Sequence, residues 1–132
     1  MRYLWDTDTC IYARRRPPKI VARLAELGPG DVRISVVTYG ELVYGTTKSA
    51  EPAQALAGLS RFIASVSVLP LPEAAGDVYA HVRHELAAKG ELIGPNDLWI
   101  AAHALAADLV LVTNNEREFR RVKGLKIENW VR

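Results

Sequence analysis

Asp6 in WDTDTC, Glu41 in VVTYGEL, Asp97 in GPNDLWIAAHAL and Asn115 in LVTNNERE are the residues whose types and settings could do chemistry. Taken one at a time, each has a structural explanation. Asp6 or Asp8 suits the cap of a helix following a strand. Thr38 and Glu41 have the spacing of a capping box, in which the Glu41 carboxylate reaches back to the Thr38 amide. Asp97, beside a possible cap in Asn96, would gain about 0.3–1 kcal/mol from a helix dipole. Asn115 is a good N-cap, with Glu118 three residues on. Taken together they read differently. Carboxylates gathered on one rim repel and raise one another's pKa, an arrangement that is costly unless a cation sits among them. Hard oxygen donors without converging Cys or His suit Mg²⁺ or Mn²⁺ better than zinc. Such a site, a few carboxylates plus water, is the usual apparatus for activating water against a phosphate ester.

The elements around these residues decide whether they can meet. Residues 2–6, 31–36, 66–69 and 109–113 read as strands, with a fifth short one around 125–127. The run LVLV is apolar throughout, as a central parallel strand should be. Between them lie helical patterns: one opened by Pro17-Pro18 and closed by Gly28-Pro29-Gly30, one over 51–65, one over 72–89 ending at Gly90, and one over 97–107. Strands separated by helices imply parallel pairing with right-handed crossovers. The expected fold is α/β, a three-layer α/β/α sandwich around a mainly parallel sheet of four to five strands, with residues 1–132 as one domain. Ligands of such sheets bind beyond the carboxyl ends of the strands. Asp6, Glu41, Asp97 and Asn115 all fall at that edge.

Composition sets the outer limits. At 132 residues, nearly half of them hydrophobic, the chain can bury a core without staples. The single cysteine, Cys10, forms no intramolecular bridge, and neither a signal segment nor a membrane-length apolar run is visible. A cytoplasmic protein is expected. The net charge of +2 is unevenly spread: Arg14, Arg15, Arg16 and Lys19 cluster, as do Arg117, Arg120, Arg121, Lys123 and Lys126. Such clusters are either solvated faces or a footprint for a phosphate backbone.

Four stretches bring a family into view: WDTDTCIY, ISVVTYGELVYG, IGPNDLWIAAHALA and LVTNNEREFRRVKGLKIENW. In this order and spacing, over essentially the whole chain, they resemble the PIN-domain ribonucleases, and among these the VapC toxins of bacterial toxin–antitoxin pairs. The resemblance implies a PIN-like fold and an endoribonuclease dependent on Mg²⁺ or Mn²⁺. Asp6, Glu41 and Asp97 would be its metal-binding carboxylates, with Asn115 at the fourth catalytic position and Thr7, Asp8, Thr113 and Asn96 in support. The wider family often has Asp at the fourth position. Asn115 brings an oxygen but no charge there, which argues against a tightly held second metal. Asp8 stands where the family commonly has Asn, and restores part of the negative charge. Water would attack an RNA phosphodiester in line, leaving a 5′-phosphate and a 3′-hydroxyl. Arg14, Arg15, Arg16, Arg117 and Arg120 would carry the RNA backbone. The implied partners are a cognate VapB-type antitoxin, a second toxin copy in a homodimer, and operator DNA reached through the antitoxin; no membrane is implied.

Rival readings remain open. WDTDTC also resembles the DxDx[TV] strand end of phosphoaspartyl phosphatases, but Cys10 stands in place of Thr or Val and no acidic pair follows the fourth strand. A receiver-like phosphoacceptor needs an Asp at the end of the third strand, where Leu69-Pro70-Leu71-Pro72 stands. A PIN-like domain that binds RNA or a partner without cutting is the third possibility. His81 and His84 share a helix without a third ligand, His103 reads as a packed or half-exposed residue, and Trp5 and Trp99 read as core.

Overall fold

In the computed structural model, which describes residues 2–132, five short strands form one sheet in the order β3-β2-β1-β4-β5. They are β1 (Tyr3–Trp5), β2 (Val32–Ser35), β3 (Val68–Leu69), β4 (Val110–Val112) and β5 (Ile127–Glu128), and every pairing is parallel. Seven helices connect and cover them: α1 (Thr7–Ala13), α2 (Pro18–Ala25), α3 (Val36–Thr47), α4 (Pro52–Val66), α5 (Ala74–Ala88), α6 (Pro95–Ala106) and α7 (Glu116–Phe119).

The strand pleat sorts the core into two layers, since alternate side chains point to opposite faces. Tyr3, Trp5, Val32, Ile34, Val110 and Val112 pack on one side with Cys10, Ile20, Leu42 and Leu59 of α1–α4. Leu4 and Leu111 pack on the other with α5, α6 and Phe119 of α7. The α/β/α sandwich is therefore borne out. β1 sits between β2 and β4 at the centre and is buried at every residue. Its carboxyl end accordingly lies at the middle of the rim, and Asp6, itself buried, follows it directly.

Boundaries moved where caps were misjudged. The third strand is shorter than 66–69, because α4 runs on to Val66 and Ser67 turns the chain at a φ of 61°. The 97–107 helix starts two residues earlier, at Pro95, whose fixed φ and missing N–H suit a first helical position. Gly90 ends α5 as expected: at φ +67° it lets the Glu91 N–H reach the Leu86 carbonyl at 2.9 Å, a Schellman closure. Among the described residues no helix is long and apolar enough to cross a membrane.

Candidate active site

Asp6, Thr7, Asp8, Glu41, Asp97 and Asn115 line one cavity of about 200 Å³ at the carboxyl edge of the sheet. The sequence-derived quartet is thus brought together, with Thr7 and Asp8 beside it. A larger cavity, about 540 Å³ between α5 and residues 121–123, is lined by apolar residues and mixed charges and by none of these donors. Convergent oxygen chemistry, not size, singles out the smaller one.

Asp6 is held at both oxygens. Its Oδ1 caps α1 by accepting the Thr9 N–H at 2.9 Å, and its Oδ2 accepts the Thr113 hydroxyl at 2.5 Å. Thr113 in turn accepts the Asn115 N–H at 2.8 Å, so the loop after β4 is pinned to the end of β1. Burial pushes the Asp6 carboxyl above its ordinary value, the Thr113 and Thr9 bonds pull it back, and Asp8 pushes it up again. Capping and site membership coexist in one side chain.

Glu41 is not a capping-box residue. Ser35 caps α3, with its Oγ accepting the Val37 N–H, which places Thr38 in the first turn and Glu41 a turn further on. Glu41 Oε1 instead accepts the Thr7 hydroxyl at 2.6 Å, and the buried Thr38 hydroxyl stands 3.3 Å from Thr7. Asn96 is not a cap either: Gly94 holds that position without a side-chain bond, because the helix begins at Pro95. Asn96 is exposed and lies outside the cavity lining. Asn115 sits at the start of α7 but makes no side-chain cap bond, so the pairing with Glu118 does not form. Asp8 is exposed in the first turn of α1.

Asp97 carries the electrostatic signature of the cavity. Its pKa is raised from 3.8 to about 6, first by burial, then by Asp6, Glu41, Glu118 and Asp8. The α6 N-terminus favours its carboxylate, but burial, joined by four like charges, outweighs that. No His or Cys lines the cavity. Among the described residues no three His, Cys, Asp or Glu side chains, these carboxylates included, are drawn closely enough around one point to hold a metal ion as they stand. Open, oxygen-only and over-negative, the donor set fits a hard divalent cation that keeps several waters.

This geometry matches known proteins along the full chain. The family model described as "PIN domain" matches residues 3–125. The chain belongs to the PIN-domain family. The tRNA(fMet)-specific endonuclease VapC of Shigella flexneri is 40% identical over 130 residues, covering 98% of each chain. Among solved structures, VapBC2 of Rickettsia felis, bound to a DNA fragment from its promoter, contains a chain 36% identical at a TM-score of 0.92. That match covers 98% of this chain and 99% of the other. VapBC-1 of nontypeable Haemophilus influenzae gives 36% identity and a TM-score of 0.94, with 100% of both chains covered.

In this PIN domain the basic residues divide. Arg14 lines a groove next to the carboxylates with Thr7, Ile11 and Glu41, and its guanidinium lies over the Phe62 ring at 5.9 Å. Arg15, Arg16 and Arg117 are exposed outside the carboxylate cavity, and Arg120 is paired with Glu116 at 2.8 Å. The sequence reading passed over Glu118 as a site charge and Thr38 as a site hydroxyl. Both stand within quoted motifs, but a capping explanation absorbed them first. His81 is paired with Glu85, while Trp5 is buried and Trp99 stacks on Tyr79 at 3.8 Å.

Proposed function

We propose that residues 1–132 act as one PIN unit, the toxin of a type II toxin–antitoxin pair: a Mg²⁺- or Mn²⁺-dependent endoribonuclease that cuts structured tRNA or rRNA loops in the cytoplasm. The observation that carries this reading is the rise of Asp97 to about 6 in a cavity of carboxylates. Negative charge is concentrated there at a cost in stability, and a bound cation reverses that cost. The Shigella flexneri relative, named for cleaving tRNA(fMet), supports an RNA substrate.

Asp6 and Asp97 would hold the cation directly, with Glu41 as a third ligand or an acceptor for water. When bound, the ion polarises the scissile phosphate, lowers the pKa of water and offsets charge developing on the phosphate. The chain's own residues do the rest. Thr113 and the Thr9 N–H hold Asp6 in one orientation. Thr7 turns Glu41 toward the cavity, where its free oxygen accepts a proton from the attacking water as the P–O3′ bond breaks and the departing 3′-oxygen takes a proton from solvent. Asn115 orients substrate or water through its amide without adding charge. Arg14 holds a flanking phosphate at the groove, with Arg15, Arg16, Arg117 and Arg120 extending the basic surface. A VapB-type antitoxin neutralises the toxin, and the toxin pairs as a homodimer in a complex that reaches operator DNA through the antitoxin. The DNA-bound VapBC2 assembly supports that partner.

The test is cleavage of total RNA by purified protein with Mn²⁺, with EDTA, and by Asp97→Asn, read by sequencing the new ends. New 5′-phosphate ends that need Mn²⁺ and vanish in the variant are expected. RNA binding that survives EDTA without any new ends would instead favour a non-cutting PIN domain.

A further inference from the structure

His103 and Ser35 take no part in the chemistry above, yet they meet between the two helices that bring Glu41 and Asp97 together. His103 lies on α6, whose first turn carries Asp97, and is 1% exposed. Its Nδ1 stands 2.9 Å from the Oγ of Ser35, which is fully buried. Ser35 ends β2 and caps α3, the helix that carries Glu41, through the Val37 N–H at 3.1 Å. Helices α3 and α6 lie against each other. Among the described residues, the Ser35–His103 contact is the side-chain hydrogen bond that joins α6 to the β2–α3 junction.

The His103 tautomer sets which group donates, and the tautomer with a free Nδ1 lone pair suits its surroundings. Ser35 Oγ already accepts from Val37, so its own hydroxyl proton needs an acceptor, and the neutral Nδ1 of His103 provides one. His103 then carries its proton on Nε2. Burial disfavours the imidazolium, which would set an N–H against the Ser35 hydroxyl. An imidazole in a helix otherwise filled by Leu98, Ile100, Ala101, Ala102 and Ala104 is a poor choice for packing alone. As an acceptor aimed at the cap of the next helix it has a definite task. That task matters here because Glu41 and Asp97 repel across the cavity, and a tie between their helices resists their separation.

We propose that His103 is a positioning residue: by accepting the Ser35 hydroxyl it fixes the start of α3 against α6, and so sets how Glu41 faces Asp97 at the cation site. This rests on the cation reading of that site. It adds a residue remote from substrate through which the geometry of the carboxylates is held.

The test uses full-length protein and four variants: His103→Leu, His103→Asn, Ser35→Ala and the Ser35→Ala/His103→Leu double. Mn²⁺ affinity is measured without RNA by electron paramagnetic resonance, and kcat and KM are measured separately on RNA. His103→Leu and Ser35→Ala should each weaken Mn²⁺ binding and lower kcat by about tenfold, the low end for groups that act through a ligand's support. KM for RNA should stay within about twofold, because no phosphate contact is lost. His103→Asn should restore both, since its amide oxygen can replace Nδ1, and the double variant should be no worse than either single change. If His103→Leu matches the wild type while His103→Asn fails, packing is the residue's role and the proposal is overturned. Should His103→Leu not fold, Ser35→Ala, which deletes one hydroxyl, decides: unchanged Mn²⁺ affinity and kcat refute the tie. A wild type that neither binds Mn²⁺ nor cleaves RNA overturns the cation reading and this inference together. A wild type that does both, matched by Ser35→Ala and His103→Leu, overturns this inference alone.

Discussion

Asp97→Asn separates the two explanations of the α6 N-terminus by sign as well as by size. If Asp97 only complements the helix dipole, its replacement costs about 0.3–1 kcal/mol and leaves cleavage intact. The cavity leads to the opposite expectation. A rise from 3.8 to about 6 corresponds to at most about 3 kcal/mol of destabilisation once the group is ionised. Asp97 is half-buried, so solvent screening reduces this to about 1–2 kcal/mol. Subtracting the lost dipole term leaves the variant more stable by about 1 kcal/mol, or about 3–5 °C in Tm for a chain of this size.

The pH dependence follows from the same shift. Because the folded pKa lies above the unfolded one, the wild type loses stability as pH rises from about 4 to about 6, and no more is lost above that. The advantage of the Asn variant should therefore be absent at pH 4 and complete by pH 7.5. Scanning calorimetry in EDTA at both pH values measures it, and a gel assay on RNA with Mn²⁺ measures cleavage, which should fall at least about 100-fold on loss of a direct ligand. A variant less stable at pH 7.5 and fully active would refute both the repulsion argument and the catalytic role. One that is stabilised but still cuts would refute the catalytic role only.

Added Mg²⁺ or Mn²⁺ should raise the wild-type Tm by an amount that grows with the logarithm of metal concentration, and should not raise that of Asp97→Asn; differential scanning fluorimetry checks this. Thr113→Val removes the 2.5 Å donor to Asp6, so the Asp6 pKa should rise further and the pH–kcat profile should move to higher pH, with about 1–2 kcal/mol of stability lost. Asn115→Asp adds a fifth carboxylate to the cavity lining; calorimetric titration should show tighter Mn²⁺ binding together with lower stability of the metal-free protein. Gly90→Ala places a Cβ at φ +67° and should cost about 1 kcal/mol in urea unfolding while leaving RNA cleavage unchanged.

The layers of the fold were legible because strand burial writes itself into the sequence: LVLV is apolar throughout, and VRIS alternates in the way a sheet face demands. The convergence of Asp6, Glu41, Asp97 and Asn115 followed from topology, since all four lie just beyond strand ends or within the first two turns of helices on one edge. The cap assignments were not legible. Ser35 displaced Thr38, and Gly94-Pro95 displaced Asn96, because several capping residues stand within two or three positions of each other and local chemistry does not choose among them. The choice is made by tertiary partners: His103 on Ser35, and Thr7 on Glu41. Arg120 shows the same limit for charge, since its engagement by Glu116 depends on where α7 ends.

The errors in cap assignment and the success in site assignment have a common origin. A carboxylate site at the rim of a parallel sheet has to be assembled against its own repulsion, and the groups available to oppose that repulsion are the amides and hydroxyls at helix starts. Asp6 is therefore both cap and site residue, its two oxygens held by the Thr9 amide and the Thr113 hydroxyl. Glu41 lies beyond the reach of its own helix terminus and takes the Thr7 hydroxyl instead. Asp97 has the α6 dipole but no side-chain donor, and it is the carboxylate driven up to about 6. The least supported of the three acids is thus the one whose ionisation gains most from a cation. Metal affinity should accordingly depend on Asp97 more steeply than on Glu41, so that between pH 5 and pH 7 Mn²⁺ binding tightens as Asp97 deprotonates. Binding that is flat across that range would place the cation elsewhere.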